Sequence, residues 1–362
     1  MKIDTSQVDL EQFTARDYSV AGEVVTLVQP NHVGCKWTQQ NKHFRSSVWN
    51  WEGELVSASF PKFVNWGENP ENFPVPTSLK HCSITTKLDG STLIVSKYKG
   101  TLIVRTRGTL DATLLDNGHE IEQFKGIFAT LQELYPEDTW GQSFLFEWLS
   151  PLNRIVLHYA EAELRLIGVV DHSDYSLWLQ SNLDELAKLI GVERPNYSQF
   201  ISAEHLTCSV DKWIGVEGVC VYSKNGQEIH KVKALDYLVR HRLKNEFRSL
   251  ERVVDFFISS DCPPYKTFYH LVASVVDYET AESCRGDISK CIDAWKEVKE
   301  ILSGMGAFVD KIRSYPTRKE QALDITKSYG NTNRAGFVFA MLDGKPLVAD
   351  NYKKLMWQVL KK

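Results

Sequence analysis

A lysine opens the segment of this chain that is best suited to covalent chemistry. Lys87 begins the tetrapeptide Lys-Leu-Asp-Gly, which ends at Gly90. The alternating apolar runs 92–98 and 101–107 follow, and the Lys-Gly pair between them predicts a β-hairpin. A strand end fixes the backbone of a nucleophile, and a glycine lets a ligand approach the main chain closely. This segment is therefore a candidate nucleophilic site.

The chemistry of an amine sets a condition on its surroundings. Lysine has an ordinary pKa of about 10.4 and attacks only as the free amine. Nearby positive charge or desolvation must therefore lower the pKa of Lys87 if this residue is a nucleophile. The tetrapeptide alone is a weak signal, and a surface lysine beside a turn is the alternative that it leaves open.

A carboxylate stands inside an otherwise apolar strand. Glu147 lies between Phe146 and Trp148 in the run 144–149, which is predicted to be a strand. Because a charge is costly on a buried face, the side chain of Glu147 faces either solvent or a ligand.

A second predicted hairpin follows later in the chain. The runs 216–222 and 228–233 alternate between apolar and polar residues. Asn225 and Gly226 lie between them, and this pair is the strongest short-range hairpin signal in the sequence. We therefore expect the two runs to be adjacent antiparallel strands.

This hairpin and the upstream strands place several charges near strand ends. Glu217 begins the first run, and Lys231 and Lys233 point to the same face of the second. Two ammonium groups on one face repel each other unless an anion lies between them or both are solvated. Arg45 and Lys62 add cations upstream, for which exposed, solvated charge is the alternative interpretation.

Composition excludes several classes of protein. The 362 residues include 43% hydrophobic and 24% charged residues, as in ordinary globular proteins, and a length of this size suggests two domains. The net charge of -4 excludes a strongly basic nucleic-acid binder, so phosphate contacts must come from a local patch. Seven scattered cysteines without a C-x-x-C pair, no secretory signal and no membrane-length apolar run favour a cytosolic protein.

Strand patterning fades after residue 234, and helical patterning replaces it. The sequence predicts an α+β chain with domains 1–245 and 246–362, the second all-α. Upstream, strands are also predicted at 23–28, 44–51, 55–60, 155–157 and 163–170, and helices at 119–136 and 179–190. The predicted helices of the second part are 235–260, 264–279, 285–303, 305–313, 317–328 and 348–361.

A series of ordered motifs resembles those of the covalent nucleotidyltransferases, the class of polynucleotide ligases and mRNA-capping enzymes. Within that class, the chain most resembles the bacteriophage-type ATP-dependent RNA ligase 1 family, the tRNA-repair ligases. The run Glu-Trp-Leu-Ser-Pro-Leu-Asn-Arg-Ile-Val at 147–156, Tyr237 after the paired lysines, and agreement around Arg45 and 57–63 carry this closer likeness. It spans roughly residues 40–240. The shared motifs lie at 87–90, 146–148, 216–218 and 231–233.

The resemblance implies a fold and a reaction. The first domain would be an adenylyltransferase domain of antiparallel sheets with flanking helices. Lys87 would attack the α-phosphate of ATP, expel pyrophosphate and carry AMP as a phosphoramidate. AMP would then pass to a 5′-phosphate RNA end, and a 3′-hydroxyl would displace it. The implied cofactors are ATP and Mg²⁺, with Mn²⁺ as a substitute.

The resemblance also implies roles for individual residues. Glu147 would hold the ribose, Glu217 would support metal or nucleotide contacts, and Gly90 would permit close approach of the nucleotide. The implied phosphate contacts are Arg45, Lys62, Arg107, Lys231 and Lys233.

Two features depart from the family pattern, and a third residue, Asp261, would correspond to a metal-site residue of the family. Arg107 stands where the family tends to have a lysine, so the charge is kept but its geometry differs. The family's upstream aromatic contact to the nucleotide has no clear match near residues 28–29. Asp261 is a candidate metal ligand in the helical part, and a solvated aspartate in a loop is the alternative.

The expected partner is RNA with 5′-phosphate and 3′-hydroxyl ends, including cleaved tRNA, and the expected form is a monomer in the cytoplasm, of a host cell if the protein is viral. The alternatives are a DNA ligase, a capping-type nucleotidyltransferase and a non-catalytic RNA-end binder. A helical tail disfavours the first two, which usually carry an OB domain there. The basic segments 311–319 and 353–362 of this tail are either phosphate contacts or solvated helix faces.

Overall fold

The structure is a computed structural model that describes most of the chain. It describes Lys2 and residues 8–31, 35–152, 155–224, 226–247, 249–276, 278–332 and 334–361. Six residues of the predicted motifs and segments lie outside the described residues: Asn153, Arg154, Asn225, Arg248, Asp277 and Lys362. The chain divides into two units, Met1–Val239 and Arg240–Lys362. The domain boundary that the sequence places near residue 245 stays a prediction.

The first unit is built mainly from strands. They are β1 (Phe13–Val20), β2 (Glu23–Pro30), β3 (Ser47–Asn50), β4 (Leu55–Ala58), β5 (Val64–Asn65), β6 (Ser83–Lys87), β7 (Ser91–Tyr98), β8 (Thr101–Arg105), β9 (Gln142–Leu149), β10 (Glu163–Asp171), β11 (Gly218–Ser223) and β12 (Glu228–Lys233). The α-helices that flank them are α1 (Lys125–Leu134), α2 (Gln180–Ile190) and α3 (Ala203–Val210). The predicted α+β class is confirmed.

Within the described residues, the strands form three four-stranded sheets. Their orders are β1-β2-β3-β4, β10-β9-β7-β8 and β5-β12-β11-β6. The pairs are antiparallel except for the short parallel pair of β5 with β12. Both hairpins that the sequence predicts, β7 with β8 and β11 with β12, are present.

The central sheet is covered by helices on one face. Leu93 of β7 lies opposite Phe146 of β9, and both side chains are fully buried. Leu131 of α1 and Leu186 of α2 belong to the same apolar cluster. Each such side chain contributes about 1.5–3 kcal/mol when it leaves water, so this cluster fixes the strands that carry the candidate site.

The register of the third sheet places two lysines beside one glycine. Gly218, the first residue of β11, lies opposite Lys87 of β6 on one side and Lys233 of β12 on the other. A Cβ atom at Gly218 would lie 2.0 Å from the carbonyl oxygen of Val232, and the φ angle of +144° is one that other residues rarely adopt. Only glycine fits here, and Glu217 therefore enters the sheet between the two lysines.

Three sequence predictions about the first unit need correction. The strand β1 is missed, because its middle is polar and exposed and its turn to β2 lacks the usual Asn-Gly signal. Arg45 lies in the 3₁₀ turn Lys42–Arg45 rather than in a strand. The run 155–157 is not a strand, since the N–H groups of Val156 and Leu157 donate to Asp89 instead of to a neighbouring strand.

The second unit is helical, as the sequence predicts. The helices are α4 (Leu235–Glu246), which starts in the first unit, α5 (Leu250–Ser259), α6 (Tyr265–Val275), α7 (Tyr278–Ser283), α8 (Arg285–Ile312), α9 (Arg318–Tyr329), α10 (Ala335–Leu342) and α11 (Ala349–Leu360). Buried residues along α8, including Ile288, Val298 and Ile312, form its core with α5, α10 and α11.

Four predictions about this unit are wrong. The predicted helix 235–260 covers the separate helices α4 and α5, and the predicted helix 264–279 covers α6 and the start of α7. The sequence predicts a break at Gly304–Gly306, but α8 continues through it, because Met305 and Val309 are buried and hold the helix in place. The apolar helix α10 is missed, since hydrophobic residues lie on all its faces and give no amphipathic pattern. Among the described residues, no helix is both long and apolar enough to cross a membrane.

Candidate active site

Lys87 is held by a buried carboxylate. Its Nζ atom lies 2.8 Å from Oε2 of Glu217, and the other oxygen of Glu217 lies 2.9 Å from Nζ of Lys233. The Glu217 side chain is only 3% exposed. One carboxylate thus joins the two lysines that the sheet register places on either side of Gly218, and it removes their mutual repulsion.

The protonation state of Lys87 differs from the one that the sequence argument requires. Burial lowers the pKa of this ammonium, but attraction to Glu217 and then to Glu147 raises it by more, so the pKa lies above its ordinary value. The expectation that surrounding cations lower this pKa is therefore wrong for the structure. The physical reason is that the attraction of Lys87 to the carboxylates of Glu217 and Glu147 outweighs the effect of burial.

Glu147 faces the same site from β9. Its Oε1 atom accepts a hydrogen bond from the N–H of Gly90 at 3.0 Å. Burial raises the pKa of Glu147 to about 7, although Lys87 acts in the opposite direction. The sequence leaves open whether Glu147 faces solvent or a ligand site. In the structure its side chain is buried and lines a cavity together with Lys87 and Gly90.

Gly90 allows this close approach because it has no side chain. A Cβ atom there would lie 2.5 Å from the carbonyl oxygen of Trp148 and 2.8 Å from a methyl group of Leu149. The glycine of the tetrapeptide is therefore required by packing, as well as by any ligand that approaches the main chain.

Asp89 fixes the backbone between the lysine and the glycine. It is buried and accepts hydrogen bonds from the N–H groups of Val156 and Leu157 and from the hydroxyl of Tyr237. These contacts were not anticipated from the sequence. The Lys-x-Asp-Gly spacing marked the segment, but nothing in the sequence indicated which residues Asp89 would contact.

A group of cations lines the same cavity as Lys87. We refer to Arg45, Lys62, Arg107 and Lys231 as the cation set. Among the described residues, no Asp or Glu forms an ion pair with any of them, in contrast to Lys87 and Lys233. Two of these cations lie over aromatic rings instead. The guanidinium carbon of Arg45 lies 4.5 Å from the ring centroid of Phe63, and Nζ of Lys62 lies 5.2 Å from the ring centroid of Trp37.

Burial and mutual repulsion both disfavour the charged form in members of the cation set. Burial lowers the pKa of Lys231 to about 8, and repulsion from Arg45 and Lys233 adds to this effect. Burial also lowers the pKa of Arg45, to about 9, with Arg107 acting in the same direction. Cations that are partly desolvated and repel each other gain free energy when an anion binds between them.

Two adjoining cavities connect these groups. The inner cavity, of about 340 Å³, is lined by Arg45, Lys87, Gly90, Arg107 and Glu147 among others. Its remaining walls are largely apolar and include Phe60, Ile155, Ile167, Tyr222 and Ile229.

The outer cavity, of about 700 Å³, shares Arg45, Lys87 and Arg107 with the inner one. It is lined in addition by Lys62, Glu217, Lys231 and Lys233. A cavity with both apolar and polar walls beside a cationic one has the chemistry of a site for a base and sugar carrying phosphates.

The residues that the sequence predicts for the site in the first unit all line one or both cavities. Phe63, Trp37 and Gln29 also line them and were not predicted as site residues. Trp37 had no signal, because it belongs to no motif. The resemblance pointed to the region of Gln29, but only for an aromatic contact, and the position of Phe63 directly after Lys62 could have indicated that residue.

The acidic groups suit a metal ion only in part. Glu217 and Glu147 are the carboxylates nearest Lys87, but both oxygens of Glu217 are already in ion pairs. Among the described residues, no group of three or more His, Cys, Asp or Glu is arranged as a metal site. Mg²⁺ commonly takes one or two carboxylates together with phosphate oxygens and water, so these residues fit an ion that a polyphosphate would help to hold.

Asp261 belongs to the second unit. It follows α5 in a left-handed conformation, with a φ angle of +63°. Its role as a metal ligand stays a prediction.

Comparisons with known proteins give a consistent picture. A family model described as RNA ligase matches residues 38–248 of the chain. An RNA ligase of the Rhodothermus phage RM378 is 27% identical over 175 residues, which cover 38% of this chain and 39% of that protein. The chain thus matches about two fifths of the length of this phage relative.

Two solved structures with similarity to the chain are described as RNA ligases. A structure described as an archaeal ATP-dependent RNA ligase has 12% sequence identity and a TM-score of 0.46, over 80% of this chain and 77% of the other. A mutant of the Naegleria gruberi RNA ligase with ATP and Mn has 16% identity and a TM-score of 0.39, over 67% of this chain and 83% of the other.

Proposed function

The chain belongs to the RNA ligase family, and from this premise we propose that it is an ATP-dependent RNA ligase that joins 5′-phosphate and 3′-hydroxyl RNA ends through a lysyl-AMP intermediate at Lys87. The observation that carries this proposal is the position of Lys87. It lies between the buried carboxylates Glu217 and Glu147 and a set of cations that have no acidic partner among the described residues.

The two cavities support ATP as the nucleotide. The base and ribose would occupy the inner cavity, with Glu147 accepting a hydrogen bond from a ribose hydroxyl. The triphosphate would extend into the outer cavity, where the cation set and Lys233 neutralise its charge. The phage and archaeal relatives are themselves RNA ligases, and the archaeal one is described as ATP-dependent.

In the first step, Nζ of Lys87 forms a bond to the α-phosphorus of ATP. The bond from this phosphorus to the bridging oxygen breaks, and pyrophosphate leaves with its charge neutralised by the cation set. Lys87 must lose a proton before it attacks, and Oε2 of Glu217 is the carboxylate oxygen at hydrogen-bond distance. Mg²⁺ or Mn²⁺, held by phosphate oxygens and a carboxylate, would supply further positive charge at the reacting phosphate.

In the later steps, an oxygen of the RNA 5′-phosphate attacks the lysine-bound phosphorus and the P–N bond breaks. A 3′-hydroxyl then attacks the activated 5′-phosphate, the phosphodiester forms, and AMP leaves. Gly90 would leave room for the nucleotide beside the main chain, and Glu147 would keep the ribose in place.

Intact mass spectrometry after incubation with ATP and Mg²⁺ tests the first step. We expect the wild type to gain the mass of one AMP, after pyrophosphate treatment has removed any nucleotide carried from expression. Lys87→Ala should gain none, and the exposed lysine in Lys80→Ala provides a matched control that should behave as wild type. A wild type without the mass gain would refute the enzyme proposal, and GTP or NAD in place of ATP tests the nucleotide.

The second part of the proposal concerns the RNA substrate and the role of the helical unit. We propose that the helical unit contributes RNA specificity, with cleaved tRNA as a candidate substrate, and that the protein acts as a monomer in the cytoplasm, of a host cell if the protein is viral. The unit carries 21 Lys and Arg against 16 Asp and Glu, whereas the first unit has 21 against 30. Ligation of single-stranded RNA, nicked duplexes and cleaved stem-loops, with DNA versions of each, would identify the substrate and test the DNA ligase alternative.

A further inference from the structure

A second arginine close to the site is completely buried. Arg105 is the last residue of β8, and its side chain has no exposed surface. An arginine side chain has five N–H donors, and here each one finds an acceptor. Nε donates to the hydroxyl of Ser57 at 2.8 Å, Nη1 to the hydroxyl of Ser46 at 2.7 Å and to the carbonyl of Thr106 at 3.0 Å. Nη2 donates to the carbonyls of Ser46 and Ser57, both at 3.2 Å.

All five acceptors are neutral. Among the described residues, no Asp or Glu forms an ion pair with Arg105, and burial lowers the pKa of its guanidinium to about 9. A buried charge without a counter-ion is unfavourable, and an apolar side chain of similar volume would often serve stability as well or better. Core packing alone therefore gives no reason for an arginine at this position.

The contacts of Arg105 lead to the cation set. Ser46 directly follows Arg45, and its hydroxyl donates to the carbonyl oxygen of Arg107 at 2.9 Å. The guanidinium thus holds both the hydroxyl and the carbonyl of Ser46, together with the carbonyl of Thr106. These bonds fix, at one point, the two backbone segments that carry Arg45 and Arg107, and both of those arginines line the inner and outer cavities.

We propose that Arg105 is a positioning residue, which holds Arg45 and Arg107 at the separation that a nucleotide polyphosphate requires. This inference rests on the proposed function, because it takes ATP as the ligand of the cation set. Arg105 lines neither cavity and acts only through Ser46 and the adjacent backbone. Its rigid, planar group of donors suits this role better than the single ammonium of a lysine.

The same network supplies an internal control on its far side. From Ser57 the hydrogen bonds continue through Ser96 to Ser143, at 2.8 Å each, and from Ser143 to Nε2 of His172 at 2.7 Å. Ser143 also accepts the N–H of Ala58. Like Ser46, it has no exposed surface. Ser143 does not contact the backbone of Arg45 or Arg107 in any of these bonds.

The test compares Ser46→Ala with Ser143→Ala in the full-length protein. Each variant loses one fully buried hydroxyl from the same network, so both should lower the melting temperature by similar amounts. Only Ser46→Ala removes the hydroxyl that bridges Arg105 and the carbonyl of Arg107. We expect it to raise the KM for ATP in lysyl-AMP formation about tenfold, with kcat changed far less. Ser143→Ala should leave KM at the wild-type value.

Binding of inorganic tripolyphosphate, measured by calorimetry, provides a readout that does not depend on the chemistry. Ser46→Ala should weaken it, Ser143→Ala should not, and Arg105→Lys should weaken it although the charge is kept. Equal changes in both serine variants, or no change in either, would overturn the positioning role. If the wild type forms no lysyl-AMP but the two variants still differ in tripolyphosphate binding, the proposed function fails and the positioning role stands.

Discussion

Glu217 explains how two lysines can lie side by side in a buried site. Each of its oxygens accepts from a different ammonium group, which removes a repulsion between Lys87 and Lys233 that would otherwise oppose the pairing of the β6 and β12 ends with β11. The same contact keeps Lys87 protonated, since Glu217 raises its pKa against the effect of burial. Glu217 therefore favours folding by pairing with charged Lys87, but the same pairing opposes nucleophilic attack, which needs the neutral amine.

Substitution of Gly90 tests how closely the reacting segment is packed. Gly90→Ala would place a Cβ atom 2.5 Å from the backbone oxygen of Trp148, which cannot move without shifting β9 and Glu147. We expect a loss of about 1–3 kcal/mol in the free energy of unfolding and at least about a tenfold slower lysyl-AMP formation. Both are measurable by thermal unfolding and by single-turnover kinetics with ATP.

Gly126 offers a matched control for that substitution. A Cβ atom there has no neighbour within 4 Å, and the residue lies in the helix α1. Gly126→Ala should stabilise the protein by up to about 1 kcal/mol and leave lysyl-AMP formation unchanged. A wild-type rate in Gly90→Ala would contradict the packing argument.

The buried Glu147 predicts a pH dependence of stability. Its pKa rises from the ordinary 4.5 to about 7 in the folded protein, so the folded state keeps a proton that the unfolded state releases. This group therefore makes stability fall as the pH rises from about 4.5 to about 7, and its cost is complete above that range. Glu147→Gln keeps an oxygen for the N–H of Gly90 but cannot ionise.

We therefore expect Glu147→Gln to raise the melting temperature relative to wild type near pH 8, and to do so much less near pH 5. Thermal unfolding at the two pH values measures the difference. The same increase at both would show that Glu147 is ionised in the folded protein throughout this range.

Among the elements, α8 shows how packing overrides local propensity. Glycine costs about 1 kcal/mol in a helix interior, and two glycines close together would be expected to end the helix. Here Met305, between Gly304 and Gly306, is buried in the apolar core of the helical unit, and the helix runs on to Ile312. Burial of such side chains outweighs the local cost.

This interpretation predicts the effect of removing one glycine. Gly304 is exposed, and a Cβ atom there would have no neighbour within 4 Å. Gly304→Ala should therefore raise the free energy of unfolding by about 0.5–1 kcal/mol. Urea titration followed by circular dichroism measures the change. A loss of stability would mean that the helix is interrupted here in solution.

At the scale of the whole molecule, charge is divided unevenly along the chain. The first unit is acidic overall, with a group of cations lining its two cavities, whereas the helical unit has more basic than acidic residues. Negative charge outside a cationic cavity disfavours RNA binding elsewhere on that unit. RNA contacts outside the cavities are therefore expected mainly on the helical unit.

The α11 helix provides a test of this division. Lys354 and Lys361 are exposed and lie beside Trp357 along a surface cavity. We expect the double substitution Lys354→Glu and Lys361→Glu to weaken RNA binding about tenfold or more at low salt, while lysyl-AMP formation from ATP is unchanged. Filter binding at several salt concentrations and the adenylylation assay separate the two effects.

The charge-matched control is Lys296→Glu with Lys299→Glu, two exposed positions on α8. It changes the net charge by the same amount at a different surface. Equal weakening in both double variants would indicate that only the overall charge matters, and no weakening in either would remove α11 from the RNA-binding surface.

The residue types of the site and their assignment to strands could be predicted from the sequence. Lys87, Gly90, Glu147, Glu217 and the paired lysines stand in ordered motifs with two strong hairpin signals, and hairpin register is a local property. The α+β class followed from the change of periodicity near residue 234, because amphipathic patterns depend on nearby residues only.

Only the tertiary structure decided which charges are partners. The opposing pair Lys87 and Glu217 is separated by 130 positions in sequence, and the contacts of Asp89 and Arg105 also join distant segments. Because the motifs contain many cations, the sequence led us to expect a lowered pKa for Lys87. The sign of this shift depends instead on which charged groups lie close to Lys87 in space. Distance and burial determine electrostatic energies, and neither is a property of residue order alone.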